Sequence, residues 1–361
     1  MNARLALATV LSLFATFTLS SCVSTGSGGG GSTSINDTAR YLGGLSGSTR
    51  SELAVPRTSS TWQTHSRNMD GLWANHSGMR GKLRGFRGEI SGLTSPSVLF
   101  YPFGGPDYLH AAALFPGARN YVLVGLEAAD AVPELSSLSQ SELSRGLGGV
   151  SNSLRTVTGA SYFITKEMRV DLQSTRFKGT LPLILAQVAR NGQSVSSVSM
   201  IGLDSAGRVT SRAAGAACPG FLIRAGGKNI YYFREDLSNG GLGDGRLLKF
   251  VSSKGSPVTF VKSASYLMHG GGFSRIRSWI TSNSRGLVQG ASGVPYRYLK
   301  DSGMSIKLYG NYQRPLGVFS SYMQSDLAAA YRNGTHPVKP LSFGLGYLRN
   351  PSSACIIVAR R

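Results

Sequence analysis

The chain has 361 residues, 41% of them hydrophobic, and a formal net charge of +21 from 38 Lys and Arg against 17 Asp and Glu. That length and apolar content suit one large α/β domain or two smaller ones with a real core. The bases are scattered, with no run of five, so a nucleic-acid tail is not indicated. The positive field either attracts an anionic polymer or membrane surface, or serves solubility alone.

Residues 1–21 join a short cationic start, Met1-Asn2-Ala3-Arg4, to an apolar run from Leu5 to Leu19 and the small pair Ser20-Ser21. The run is too short for a stable transmembrane helix and reads as a secretory signal. The ending Leu19-Ser20-Ser21-Cys22 resembles the cleavage box of bacterial lipoproteins. The resemblance implies that Cys22 carries the lipid and becomes the mature N-terminus, so the protein reaches the cell envelope and stays membrane-anchored. Val23 stands where Asp favours inner-membrane retention in diderm bacteria, which implies the outer membrane. Residues 22–35 are mostly Gly, Ser and Thr, a tether with a reach of roughly 20 Å.

Residues 36–96 read as a basic helical segment. Leu45, Trp62, Met69, Leu72, Trp73, Met79, Leu83, Phe86 and Ile90 recur at helical spacing, and Arg67, Arg80, Lys82, Arg84 and Arg87 hold the other face. Such a face lies on a membrane or is simply solvated while the helix packs on its own domain.

Residues 97–361 read as an α/β domain. Val98 to Phe103 is a buried strand, Gly104-Gly105 a turn, Tyr108 to Phe115 a short helix, and Tyr121 to Leu126 the next strand. A strand, tight turn, helix and strand build a parallel sheet. Helices are predicted over 139–156, 181–189 and 273–282. Strands are predicted over 195–203, 257–261, 305–309, 341–347 and 354–359, with a hairpin over 221–233.

Three constellations carry candidate chemistry. In the first, Gly104, Gly105 and Asp107 precede Glu127, which lies 22 positions beyond Gly105 (127 − 105) and ends a strand. A glycine turn admits a ligand to helix amides, and an acid about 20 residues on takes ribose hydroxyls. This stretch resembles the opening of Rossmann-like methyltransferases over roughly 30 residues. G-x-G-x-x-G is absent and Asp107 opposes an anion, so no cofactor is assigned. The second is His269, Gly270-Gly271-Gly272, Ser274 and Arg275, where a glycine loop and cations suit an anion and His269 supplies a base. The third, Asp236 to Gly245, fails the twelve-residue calcium pattern for want of a closing Glu and reads as a surface loop. No H-E-x-x-H, C-x-x-C or G-x-S-x-G occurs, so neither a zinc site nor a nucleophilic triad is expected. An oxidising compartment allows Cys218 and Cys355 to pair; two separate buried thiols are the alternative.

The chain as a whole resembles bacterial lipoproteins with a C-terminal α/β domain. The expected fold is a Rossmann-like, mostly parallel sheet with C-terminal antiparallel strands. The expected function is a membrane-anchored envelope lipoprotein that binds an anionic lipid or glycan. The alternative is an envelope hydrolase or transferase. It requires the two glycine loops to share one sheet edge, gathering Asp107, His110, Glu127 and His269, with Arg275 nearby.

Overall fold

A computed structural model describes residues 33–160, 172, 175–212 and 216–361. Cys22, the signal and most of the tether lie outside the described residues. The described body is mixed α/β. Its strands are β1 (Val98–Tyr101), β2 (Asn120–Gly125), β3 (Val195–Leu203), β4 (Val209–Ser211), β5 (Gly220–Ala225), β6 (Lys228–Arg234), β7 (Val258–Val261), β8 (Gly286–Gln289), β9 (Ser305–Gly310), β10 (Val338–Lys339) and β11 (Cys355–Arg360). They form one 11-stranded sheet in the order β10-β9-β11-β8-β7-β1-β2-β6-β5-β3-β4.

The centre of that sheet is parallel: β8, β7, β1, β2 and β6 all run one way. β5, β3 and β4 extend it antiparallel on one side. On the other side β11 pairs antiparallel with both β8 and β9. β1 is Val-Leu-Phe-Tyr, buried at every position, as a strand covered on both faces must be. Its side chains alternate between two cores. Leu99 and Tyr101 join one, and Val98 and Phe100 the other.

Helices cover both faces. The first core takes α1 (Ile35–Leu42), α3 (Ser60–Asn75), α4 (Ser77–Phe86), α5 (Tyr108–Leu114), α6 (Gln140–Ala160) and α7 (Leu181–Arg190), while α2 (Ala54–Thr58) buries no residue. The second takes α8 (Arg246–Ser253), α9 (Ser274–Asn283), α10 (Tyr296–Asp301) and α11 (Ser325–Asn333). The basic helical segment is therefore built into the body. Trp62, Met69, Leu72, Leu83, Phe86 and Ile90 are buried in the first core. Ser34 caps α1 by accepting the Asp37 N–H, so the first helix starts just ahead of residue 36. Among the described residues no helix is long and apolar enough to cross a membrane.

Two expectations are corrected. Residues 341–347 form no strand. Phe343 and Leu345 are buried, so the alternation is satisfied without a ladder. The backbone is instead curled, with Gly346 at φ +67° and Gly344 close enough to Leu348 O to exclude a Cβ. Cys218 and Cys355 are both free thiols, so the disulfide is not formed. Cys218 bonds to Glu235 ahead of β5, and Cys355 to Tyr331 at the start of β11. Burial pushes the Cys355 thiol up to about 12.

Candidate acidic cleft at the strand ends

In sequence the chain lays down β1, β2 and β6 toward one side, then returns to place β7 and β8 on the other. The loops after β1 and β7 therefore diverge and leave a crevice at their carboxyl ends, where open α/β sheets hold ligands. A cleft of about 230 Å3 opens there. Its walls come from the ends of four parallel strands. Phe103 and Gly105 follow β1, Leu126 and Glu127 follow β2, Glu235 and Asp236 follow β6, and Ser263 and Ser265 follow β7. Phe273 and Tyr347 complete it. Three carboxylates line the cleft, and its described lining holds no Lys, Arg or His. In a chain of net charge +21 that is a local inversion of sign.

Each carboxylate is held in place. Glu127 is buried, and its Oε2 accepts the Tyr232 hydroxyl at 3.0 Å. The Glu235 N–H donates to Gly125 O, which continues the β2–β6 ladder one step and sets the two glutamates on adjacent strand ends. Burial raises the Glu235 carboxyl above its ordinary value, against a hydrogen bond from Cys218 and the Arg246 charge. Asp236 accepts from the Ser238 N–H and hydroxyl. The Ser263 hydroxyl lines the cleft buried, with no hydrogen-bond partner among the described residues.

The backbone around the cleft is strained. Among the described residues four non-glycine positions have positive φ: Phe103 (60°), Cys218 (49°), Ser265 (47°) and Tyr266 (55°). Phe103 and Ser265 line the cleft, Tyr266 follows Ser265, and Cys218 bonds to Glu235. Left-handed backbone at non-glycine residues costs about 1–3 kcal/mol each and persists where surrounding structure imposes it. Ser265 is fixed through its hydroxyl to the Tyr347 hydroxyl at 2.8 Å.

Beneath the cleft lies a second polar group, fully buried. Asp107 caps α5, accepting the His110 N–H at 3.2 Å. Its carboxylate also meets His110 Nδ1 at 2.9 Å, the Tyr101 hydroxyl at 2.9 Å and the Lys262 ammonium. Lys262 Nζ is 2.9 Å from His110 Nδ1. Burial would raise the Asp107 carboxyl, but the charges of His110 and Lys262 outweigh it and hold it well below the carboxylate range. Burial lowers both His110 and Lys262, with Asp107 opposing the shift. Asp107, His110 and Lys262 thus form one buried, mutually coupled cluster in which the carboxylate faces both nitrogen-bearing groups. The His76 ring meets His110 edge-on at 5.1 Å.

The glycine loops predicted from the sequence do meet at one edge of the sheet, but not all their side chains face the cleft. Gly105 and Glu127 line it. Gly104 is set against the Tyr101 ring, which an added Cβ would strike. Asp107 and His110 lie in the buried cluster and are not part of the lining. His269 is turned toward the Tyr266 and Tyr322 rings, and burial lowers its imidazole to about 4. Ser274 accepts from the Asn239 amide, and Arg275 donates to Asn239 O and Gly243 O. Both therefore fasten the 236–245 surface loop. Lys262 and Glu235 were not singled out by the sequence. Their one signal is position, since each directly follows a strand.

The Rossmann resemblance implies a dinucleotide or methyl donor at this turn. The N–H groups there are already used. Gly105 donates to Val124 O, Asp107 to Gly104 O, Tyr108 to Pro106 O, and Leu109 to the Gln187 side chain. Those four amides are spent inside the protein, and the three cleft carboxylates oppose a phosphate or carboxylate. The residues do not fit an anionic cofactor group at this position. Comparison with protein families, with curated proteins and with solved structures finds no match to this chain.

Proposed function

We propose that this chain is a membrane-tethered binding protein of the cell envelope, with a Rossmann-like fold and a small-molecule site in the acidic cleft. In chain order the five parallel strands stand as 3-2-1-4-5, the arrangement that places ligands at the point where strand order reverses. The observation that carries the reading is the strained backbone gathered around one cleft with an unpartnered Ser263 hydroxyl. Strain of this kind persists where a site is held ready for a ligand. The charge of the lining selects a neutral or cationic ligand rich in hydroxyl or amine donors. Glu127, Glu235 and Asp236 are the acceptors, and Phe103 and Phe273, with ring centroids 6.0 Å apart, are the apolar wall.

Paired probes of one shape and opposite charge test this. Glucosamine is expected to bind the full chain at least about tenfold more tightly than glucuronate, with Glu235→Gln narrowing the gap. Tighter binding of glucuronate would refute the assignment.

One observation favours a second reading, a hydrolase or transferase at the same cleft. Glu235 is raised by burial and stands beside Glu127 on the neighbouring strand end, the pairing of proton donor and carboxylate that acid–base chemistry uses.

The anchor rests on Cys22. Cys22→Ser is expected to release the protein from membranes or to leave the precursor uncleaved. Unchanged detergent partitioning with normal maturation would rule lipidation out.

A further inference from the structure

At the opposite edge of the sheet, where β2 and β6 begin, lies a second depression of about 400 Å3 with the reverse electrostatics. Arg80, Arg84, Arg87, Arg190 and Lys228 line it, and no Asp or Glu does. They come from α4, the end of α7 and the start of β6, so the fold and not a run of sequence brings five cations together. They are held mainly by backbone carbonyls, which neutralise nothing. Arg80 donates to Trp73 O, Arg87 to Ala113 O, and Lys228 to Pro116 O and Ala118 O. Arg190 donates to Gly43 O and Gly44 O, and its one carboxylate partner is Asp70. Arg84 is exposed and makes no side-chain hydrogen bond among the described residues. The Arg80 Nε is buried and unpartnered. The cations also oppose one another. Burial first, and then the charge of Arg84, lower both Arg80 and Arg87.

We propose that this groove is an anion site for phosphate esters, binding a multiply charged phosphate-bearing group through Arg80, Arg84, Arg87 and Lys228. Guanidinium groups match phosphate oxygens as paired donors, and several cations fixed around one groove need an anion of more than one charge. The site is independent of the acidic cleft, and either can fail alone. Phosphate of this kind comes from an anionic lipid headgroup or from a free phosphate ester. Arg190 fastens the turn that follows α1.

The test uses the purified full chain in non-ionic detergent, titrated with inorganic pyrophosphate by calorimetry. Pyrophosphate is expected to bind, and to bind more weakly as salt rises. Arg84→Glu should weaken it by about tenfold or more, and Lys228→Gln by several-fold. Arg67→Glu, an equal charge change on exposed α3 outside the groove, should shift it less than about twofold. An unchanged circular dichroism spectrum for Arg84→Glu separates lost binding from lost fold, and Lys228→Gln repeats the test without a charge reversal. A parallel arm uses phosphatidylcholine vesicles with and without phosphatidylglycerol. Vesicle binding that pyrophosphate displaces assigns the lipid source; pyrophosphate binding without vesicle binding assigns a free ester. Absence of binding in both arms overturns the proposal, and so does an Arg67→Glu effect equal to that of Arg84→Glu, which would reduce the groove to general charge.

Discussion

Lys262→Met is expected to destabilise the protein by about 3–5 kcal/mol, because it leaves a buried carboxylate without its cation. The Asp107 carboxylate and the Lys262 ammonium are both 1% exposed. Asp107 is buried away from bulk water, and the Tyr101 hydroxyl that remains on it carries no charge. The pH dependence has a definite sign. In the variant a proton on the Asp107–His110 pair is the charge that can still offset the carboxylate, so protonation favours the folded state and the penalty is larger at pH 8 than at pH 5. The wild type shows the opposite limb. Asp107 is held below its unfolded value of about 3.9, so its contribution is complete above that value and is lost as pH falls through the folded pKa. Chemical denaturation at several pH values measures both limbs. Lys262→Met combined with Asp107→Asn should recover most of the loss, since the orphaned charge is removed with its partner. A single variant as stable as the wild type at pH 8 would mean that Lys262 carries no charge for Asp107.

That cluster marks the limit of what the sequence could disclose. Asp107 and His110 are near in sequence, at the start of the short helix over 108–115. Lys262 was not legible as their partner, because only the pairing of β1 with β7 brings a residue 155 positions away onto the same carboxylate. The same holds for the cleft. Gly105 and Glu127 stand out locally, after a strand and at the end of the next. Glu235 belongs with them only once β6 is known to pair with β2, and the hairpin of β5 and β6 gives no local hint of that neighbour. Short apolar runs were read well where they were continuous, as in β1 and β2. β8, only Gly-Leu-Val-Gln, carries too little pattern to be seen, although it is buried throughout. Arg275 shows the reverse error of inference. A cation beside a glycine loop suits an anion in sequence, yet its guanidinium is spent on two carbonyls of the loop it fastens. The cations with room for an anion are those on α4 and β6, which no motif connects.

The floor of the cleft offers a separate test of the site, one that does not depend on knowing its ligand. Gly125 ends β2, and a Cβ there would lie 2.2 Å from Glu127 Oε2, 2.9 Å from Gly105 Cα and 2.9 Å from the Tyr232 hydroxyl. Two of those atoms belong to backbone or to a buried ring, so neither can move freely. Glu127 alone can yield, and to do so it must give up the Tyr232 hydroxyl that now holds it. Gly125→Ala should therefore cost about 2–3 kcal/mol, as overpacking of a tight site does. It should also lower affinity for glucosamine, because the carboxylate displaced is one of the three that define the cleft. Gly148→Ala is the matching control. Gly148 lies within α6 with nothing inside 4 Å of an added Cβ, and alanine there should stabilise by about 0.5–1 kcal/mol through helix propensity. Thermal or urea unfolding of the two variants reads opposite signs from the same substitution. Equal stability of both would mean that the approach of Gly105 to Gly125 is looser than drawn. The cleft would then have no rigid floor against which Glu127 could be held.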